Sequence, residues 1–185
     1  MIKNKFKKLI VVSITSITFV YLSTLLYSMS KMTTDEMVMC SAGDGGFYIS
    51  SNICEIYMKR FKSDSTDIEE LSYGGIEVIL NLSSDKKYEL AEFFISKGLN
   101  VNAINQYQSQ FGYDLPPVQS AILDNDLKKV NFLILHGANL MARSKSTGNL
   151  TSLEFAKSLQ EKEKNIDRSL ILTALSEHEK HITSH

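Results

Sequence analysis

The stretch Phe94-Ile-Ser-Lys-Gly98-Leu-Asn-Val-Asn-Ala103 returns 39 residues later as Leu133-Ile-Leu-His-Gly137-Ala-Asn-Leu-Met-Ala142. In both copies an apolar run leads into a glycine, which takes the left-handed conformation that ends a helix without a Cβ penalty. Asparagines follow each glycine, and their side chains bond to nearby backbone in turns. A helix end, a glycine and an asparagine-containing exit at fixed spacing predict one structural unit used more than once.

Short helices in pairs are predicted around both copies. The second helix of each pair carries apolar residues at i, i+3 and i+4, which gives it one apolar face. Residues 67–72 form a short connector, and no strand-like alternation interrupts the helices that follow it. The chain is therefore predicted to be all-α, with helix pairs at residues 76–82 and 86–97, 117–124 and 126–136, and 151–160 and 165–178.

These segments resemble the ankyrin repeat, whose unit opens with Thr-Pro-Leu-His-x-Ala, continues through two antiparallel helices and closes with Gly-Ala-Asp-Val-Asn-Ala. Gly98-Leu-Asn-Val-Asn-Ala103 and Gly137-Ala-Asn-Leu-Met-Ala142 match the closing motif. The opening motif is matched by Pro116-Pro-Val-Gln-Ser-Ala121 and Thr151-Ser-Leu-Glu-Phe-Ala156, and only poorly by Glu77-Val-Ile-Leu-Asn-Leu82. The resemblance implies an ankyrin-like array of about three helix pairs within residues 73–178, before a polar tail at 179–185.

Two departures from the ankyrin pattern bear on function. The period is 39 residues, and not the 33 of the family, so about six residues are inserted across residues 104–115. The third unit lacks the closing glycine and ends in a polar tail, as a capping repeat would. The insertion lengthens the finger between the two clearest units, and long loops inside a compact array are uncommon without a use.

The first 30 residues are predicted to target a membrane. Residues 9–29 carry no charge, and Lys3, Lys5, Lys7 and Lys8 precede them. Those 21 residues are long enough to span a bilayer as a helix, which takes about 20. We favour an uncleaved signal anchor, with a cleaved signal peptide as the alternative, because Ser28-Met-Ser30 resembles a cleavage site only loosely.

The leading lysines place the rest of the chain outside the cytoplasm. By the positive-inside rule, residues 31–185 face the far side of the membrane, which we interpret as the periplasmic side of a bacterial inner membrane. In this exported part 16 basic residues face 21 acidic ones, a net charge of about −5. An acidic balance disfavours nucleic acid and anionic membrane surfaces and favours a basic protein partner.

Both cysteines, Cys40 and Cys54, lie in the exported part, so a disulfide is predicted, with two unpaired buried thiols as the alternative. They fall in residues 31–72, interpreted as a linker with an amphipathic helix at 47–62 that caps the array. Two cysteines without clustered histidines make a structural zinc site unfavourable.

No catalytic motif is recognisable. Ser83-Ser-Asp-Lys86 contains Ser-x-x-Lys but lacks the companion boxes of acyl-transfer enzymes, and these residues suit a helix start. His178, His181 and His185 share a helical spacing, but they lie at the chain end, where we predict a solvated tail. The sequence therefore predicts no enzyme activity, no cofactor and no metal site.

Partner contact is predicted at the inserted finger, where polar amides alternate with aromatic residues of the kind enriched at interface hot spots. A disordered polar loop is the alternative for this segment. A second, basic finger follows at residues 143–148. The predicted partner-binding residues are Gln106, Tyr107, Gln108, Phe111, Tyr113, Gln119, Arg143 and Lys145.

A small, acidic, membrane-anchored ankyrin protein outside the cytoplasm resembles the ankyrin-type immunity proteins that bacteria pair with type VI secretion phospholipase effectors. That resemblance implies a steric inhibitor whose partner is a secreted toxin or lipase effector. The alternative is an envelope scaffold or assembly module without an inhibitory role. A fold carries many functions, so the choice between them depends on the site.

Overall fold

The computed structural model describes residues 2–183, and the side chains of residues 10–180 within them. Over this range the chain is mostly helical and contains no strand, only an isolated bridge between Ser144 and Leu150. It divides into two compact units, Met1–Lys62 and Ser63–His185. The all-α prediction is confirmed for the described part of the chain.

In the first unit, helix α1 (Ile2–Lys31) contains the predicted apolar segment. Its part Ile10–Lys31 is long and apolar enough to cross a membrane, and most of its side chains are exposed. An apolar helix with exposed side chains needs a nonpolar environment, because water would have to solvate that whole surface. The structure thus contains a long apolar helix at the N-terminus, which is consistent with the predicted signal or anchor segment.

Helix α2 (Thr34–Ala42) was not predicted, since residues 31–46 were interpreted as a polar linker. Thr33 and Glu36 form a capping box at its start, and Gly43 ends it in the left-handed conformation with φ 76°. Met37 and Val38 are completely buried in this unit. The predicted amphipathic helix is present as α3 (Ser51–Phe61), which begins four residues later than expected.

The cysteine pair joins α2 to α3. The Cα atoms of Cys40 and Cys54 are 5.8 Å apart and the sulfur atoms lie at bonding distance, so the structure agrees with the predicted disulfide. Both side chains are buried. A disulfide in this position indicates an oxidising compartment.

The second unit is built from short helices. Helix α4 (Ser65–Gly74) replaces the predicted connector and is longer than it. The three predicted helix pairs follow. The first two are somewhat shorter than expected and the third is shifted toward the C-terminus, and a single-turn helix lies in the first finger. These elements are α5 (Glu77–Leu80), α6 (Lys87–Ser96), α7 (Gln106–Ser109), α8 (Pro117–Leu123), α9 (Leu127–Leu135), a 3₁₀ turn (Lys145–Thr147), α10 (Ser152–Lys162) and α11 (Ser169–Thr183).

The apolar faces of the paired helices form the core of this unit. Helices α8 and α9 pack on each other and on α10 and α11, while α5 packs on α6. The second helices bury only part of the apolar faces predicted from the i, i+3, i+4 pattern, and Leu170, which belongs to the predicted face of the last helix, is 67% exposed. The buried side chains include Ile79, Leu90, Phe94, Ile122, Val130, Leu133, Ile171 and Leu175.

The two closing segments have the same hydrogen bonds. Leu99 N–H donates to Phe94 O over 2.9 Å, and Ala138 N–H donates to Leu133 O over 2.9 Å. Gly98 and Gly137 both take positive φ, 107° and 83°. The sequence repeat is therefore also a repeat of backbone structure.

The two closing segments also contact each other through asparagine. The Asn102 side-chain oxygen accepts a hydrogen bond from the Asn139 N–H over 2.7 Å. In each segment a further asparagine oxygen, from Asn100 or Asn139, accepts from the backbone two residues on. The asparagines thus form the turn within one segment and the link to the next.

Gly137→Ala is expected to lower the free energy of unfolding by about 1–2 kcal/mol, the penalty for a side chain in the left-handed conformation. A Cβ at this position would have no heavy atom within 4 Å, so the loss is conformational and not steric. Gly137→Asn is the matched control. Asparagine tolerates this conformation, so the free energy of unfolding should fall less in this variant than in Gly137→Ala. Denaturant unfolding in detergent measures both, and equal losses would contradict this explanation.

Candidate functional site

The inserted segment, residues 104–115, is here called the first finger. Its helical turn α7 begins at Asn105, whose side-chain oxygen accepts hydrogen bonds from Tyr107 N–H and Gln108 N–H over 3.0 and 3.4 Å. Asn105 itself is buried, which fixes the start of the turn. The finger therefore has a defined backbone, and the alternative of an unstructured polar loop does not describe it.

The first finger packs on the end of α4. The rings of Tyr73 and Tyr107 meet edge to face with centroids 4.7 Å apart, and the Gln110 amide donates to the Tyr73 hydroxyl. A Cβ on Gly74 would lie 3.1 Å from the Tyr107 ring and 2.2 Å from Val78. The absence of a side chain at Gly74 thus lets the finger and α5 approach this helix end.

The second finger, residues 143–148, is hydrogen-bonded to the end of the first. The Asp114 carboxylate accepts from the Ser144 hydroxyl over 3.1 Å and from the Ser146 hydroxyl, and Asp114 N–H lies 3.2 Å from Ser146 Oγ. These bonds, that from Ser146 foremost, hold the pKa of Asp114 below its ordinary value. The carboxylate therefore stays charged and keeps the two fingers together at neutral pH.

Gln119 does not have the predicted role. Its side chain is completely buried, and its amide nitrogen donates to Ala142 O over 3.0 Å and to Leu150 O over 2.9 Å. Its amide oxygen accepts from the Thr147 hydroxyl over 3.1 Å. Gln119 holds the base of the second finger and has no surface left for a partner, so it is removed from the predicted contact set.

The remaining predicted residues lie on the surface of the two fingers. The side chains of Tyr107, Phe111 and Tyr113 are 48%, 80% and 61% exposed. Gln106 and Lys145 are exposed, and Gln108 is half-buried. Three large aromatic groups close together in sequence, with so much of their surface in water, are characteristic of a contact surface rather than a core.

Arg143 is exposed but already has partners within the chain. Its Nη1 donates to Asn149 O over 2.5 Å and lies 3.2 Å from Glu154 Oε2. Glu154 is also the N3 residue of the capping box that starts α10 at Thr151. Arg143 therefore links the second finger to α10. A partner that contacts Arg143 must either leave the Arg143–Glu154 ion pair in place or replace Glu154 with its own acidic group.

A shallow depression of about 400 Å³ lies between the fingers. The residues that line it are small or polar and come from both fingers. Its chemistry suits a polar side chain of a partner, because its lining includes both the Lys145 ammonium and the Asp114 carboxylate. The lining residues are Ser109, Gly112, Asp114, Lys145 and Ser146.

A buried carboxylate lies at the start of α5, close to the base of the first finger. Burial raises the pKa of Glu77 above its ordinary value of 4.5, and the nearby polar side chains of Ser120 and Asn105 offset only part of this rise. Neither carboxylate oxygen has a hydrogen-bond partner of good geometry among the described residues. The charged form of Glu77 is therefore unfavourable in the folded state.

Glu77→Gln is expected to raise the free energy of unfolding by about 1–2 kcal/mol at neutral pH, since an unsatisfied buried group costs about this much and a charge costs more. Because the folded-state pKa is raised, the wild type loses stability as pH rises from 4.5 through that pKa. The advantage of the variant should therefore shrink in acid. Unfolding curves across pH measure this, and a pH-independent difference would contradict it.

The histidine cluster predicted at the chain end is only partly described. His178 lies on α11 and is half-buried, the side chain of His181 lies outside the described side chains, and His185 lies outside the described residues. Among the groups that the structure does describe, no cluster of three or more His, Cys, Asp or Glu side chains is arranged to hold a metal ion.

Comparison with known proteins gives no match: no protein-family model matches the chain, and neither does a curated protein or a solved structure. What the chain does is therefore argued from the two joined fingers, the repeated closing segments and the N-terminal helix.

Proposed function

We propose that the protein is a membrane-tethered, protein-binding module of the bacterial periplasm that acts as an immunity protein against a secreted antibacterial toxin. The observation that carries this proposal is the pair of joined fingers with three exposed aromatic side chains on a fixed backbone. Rigid aromatic groups lose little conformational entropy on binding, and they supply much of the binding energy at protein interfaces.

The repeated closing segments support an ankyrin-like array of about three helix pairs. They share their hydrogen bonds, and Asn102 links one copy to the next. In a stack of repeats each unit buries the apolar face of its neighbour, so the array presents a continuous surface whose loops all emerge on one side. Such a surface holds a partner without any catalytic group.

The proposed mechanism is steric. Tyr107, Phe111 and Tyr113 enter the active-site cleft or lid of the toxin, and the polar depression between the fingers accepts a hydrogen-bonding side chain from its rim. The exported part carries about −5 charges, which attracts a basic partner and speeds encounter. Inhibition then requires only that the complex dissociates slowly, so that the active site of the toxin stays covered.

The N-terminal helix supports tethering in the compartment where such a toxin acts. The sequence that loosely resembles a cleavage site is Ser28-Met-Ser30, and the Met29 side chain is buried and lines a groove with Ile53 and Ile56 of α3. Cleavage there would remove an apolar side chain that the folded unit covers. This favours an uncleaved anchor, and the cysteine pair favours an oxidising periplasm.

Deletion of the gene tests the proposal. Cells that carry the matching toxin gene beside it should intoxicate themselves when the immunity gene is lost, and the wild-type gene should restore growth. A finger variant, Tyr107→Ala with Phe111→Ala and Tyr113→Ala, should not. The matched control, Leu135→Ala with Leu170→Ala, removes two exposed apolar side chains of the same unit elsewhere and should restore growth.

Healthy deletion cells beside an intact, secreted toxin would refute toxin immunity. An envelope scaffold is the alternative, and it predicts a different phenotype: the deletion would lower the assembly or amount of an envelope complex, and no toxin gene would be needed for the defect. In that case the finger surface would still bind a protein, but one that it does not inhibit.

A further inference from the structure

Helix α3 carries apolar side chains on two sides. On one side Cys54 and Met58 are buried against α2. On the other side Ile53, Ile56 and Phe61 are 42%, 72% and 62% exposed. The disulfide and the core of this unit account for the first side, whereas the second side is largely exposed.

The exposed side of α3 lies next to α1. An open groove of about 200 Å³ is lined by apolar and aromatic side chains from the two helices, and hydrophobic contact there is incomplete. Its lining residues are Leu26 and Met29 of α1 and Ile53, Ile56, Tyr57 and Phe61 of α3.

A second point of the same unit also lies beside α1. Tyr48, in the loop between α2 and α3, is fully exposed and shares a depression with Ile49 and with Tyr21 and Leu25 of α1. The α2–α3 hairpin therefore flanks α1 at two places, and both lie before the end of the apolar stretch at Lys31.

The position along α1 sets the depth of these side chains. A helix rises 1.5 Å per residue, so Tyr21 and Met29 lie about 15 and 3 Å before Lys31. If Ile10–Lys31 spans the bilayer, the side chains beside residues 21–29 lie at the level of the outer leaflet. Water is not the solvent at that depth.

We infer that the exposed side of α3, together with Tyr48, rests in the outer leaflet of the membrane that α1 crosses, so that the disulfide-bonded hairpin contacts lipid beside the anchor helix. The inference rests on the anchor role proposed above for α1. Ile53, Ile56 and Phe61 supply apolar contact, and the Tyr48 ring adds apolar surface beside Tyr21 and Leu25.

Charge plays a secondary part in this contact. Arg60 follows Ile56 by one helical turn and is exposed, so its stem can lie on the apolar surface while the guanidinium reaches the phosphates. The exported part as a whole is acidic, which disfavours attraction to anionic lipids. The contact should therefore form on zwitterionic lipid and resist salt.

Lipid is a better occupant than a second copy because the patch is continuous with the surface of α1. The side chains of α1 around the groove, such as Leu22 and Leu26, are about half exposed, and lipid must cover them in any spanning state. The same lipid tails reach the groove and α3. A second copy would have to displace that lipid with an apolar surface of matching shape.

Single tryptophans test the inference, because the chain contains none. Three variants of the full-length protein are reconstituted in phosphatidylcholine vesicles containing brominated lipid: Leu22→Trp in α1, Ile56→Trp on the exposed apolar side of α3, and Lys59→Trp as the control. Lys59 is on the same helix, but it carries a charge and its ammonium pairs with Glu55 over 2.7 Å. Loss of this surface pair changes stability little.

We expect Leu22→Trp and Ile56→Trp to emit at short wavelength and to be quenched by brominated lipid to a similar degree, also at high salt. Lys59→Trp should emit at long wavelength and be quenched far less. If Leu22→Trp is quenched and Ile56→Trp is not, the inference fails and the anchor stands. A blue-shifted but unquenched Ile56→Trp means that a second copy covers the patch, which also overturns it.

If Leu22→Trp is itself unquenched, α1 does not span the vesicle membrane, and the anchor and the lipid contact fail together. If Ile56→Trp and Lys59→Trp are quenched equally, the contact has no preferred side, which overturns the assignment of the apolar face. A second substitution, Phe61→Trp, repeats the test one turn further along, in case Ile56→Trp disturbs the groove.

Discussion

Replacing Tyr107, Phe111 and Tyr113 together by alanine is expected to weaken partner binding by more than about 2 kcal/mol, roughly a thirtyfold rise in Kd. The three side chains are the large exposed aromatic groups of the first finger. At protein interfaces a few aromatic anchors carry most of the free energy of binding, and polar contacts around them mainly exclude water. Titration of the partner with the full-length protein in detergent measures the change.

The fold of the variant must be checked, because Tyr107 also contacts Tyr73. The double variant Phe111→Ala with Tyr113→Ala leaves that contact intact. Its Kd should rise by most of the amount expected for the triple variant. Leu135→Ala with Leu170→Ala is the control for loss of exposed apolar surface, and it should leave Kd unchanged. An unchanged Kd for the finger variants would move the interface to another part of the array.

Removing the disulfide by Cys40→Ala with Cys54→Ala is expected to destabilise the α2–α3 hairpin by about 3 kcal/mol, the chain-entropy value for a closed loop of about 15 residues. The two cysteines are separated by 14 positions in sequence. Alanine is chosen because both sites are buried and a serine hydroxyl would need a hydrogen-bond partner there. Amide hydrogen exchange in α2 and α3 should accelerate roughly hundredfold.

Reducing agent should reproduce this effect in the wild type and add nothing to the double variant. The amides of α8 and α9, which belong to the other unit, supply the internal reference. Exchange rates in α2 and α3 that do not change on reduction would show that the hairpin is stable without the disulfide. The oxidising compartment would then have no bearing on its stability.

The parts of the fold that the sequence predicts well depend on residues with local conformational meaning. Gly98 and Gly137 are recognisable because few other residues take their positive φ, and the asparagines after them act within two residues. Helix α2 was missed because it has nine residues and no clear periodicity. Its capping box, Thr33 with Glu36, was the available signal, since each residue of the pair caps the same turn.

The parts of the site that were not predicted depend on contacts far apart in sequence. Ser146 and Asp114 are hydrogen-bonded although they are 32 positions apart in sequence, and no local sequence pattern predicts such a pair. Gln119 was interpreted as a surface amide because glutamine is usually exposed. Its burial is tolerated only because Ala142, Thr147 and Leu150 provide partners for both amide atoms, and these partners exist only in the folded chain.

The two units suggest a division of roles. Residues 1–62 supply a long apolar helix and a cross-linked hairpin, and residues 63–185 supply the helix pairs and both fingers. If the proposed function is correct, substitutions in α3 should change how the protein is held at the membrane, whereas substitutions in the fingers should change which protein it binds. The two properties should vary independently, because each is assigned to a different compact unit.

The immunity role and the finger interface are tested together by affinity capture of the full-length tagged protein from its own cell envelope, in parallel with the finger variant and the Leu135/Leu170 control. We expect one protein to be captured in equal amount by the wild type and the control and to be lost with the finger variant. We also expect the toxic activity of this protein to be suppressed in the captured complex. A partner held equally by the finger variant, or one whose activity is unaffected by the complex, would contradict this expectation.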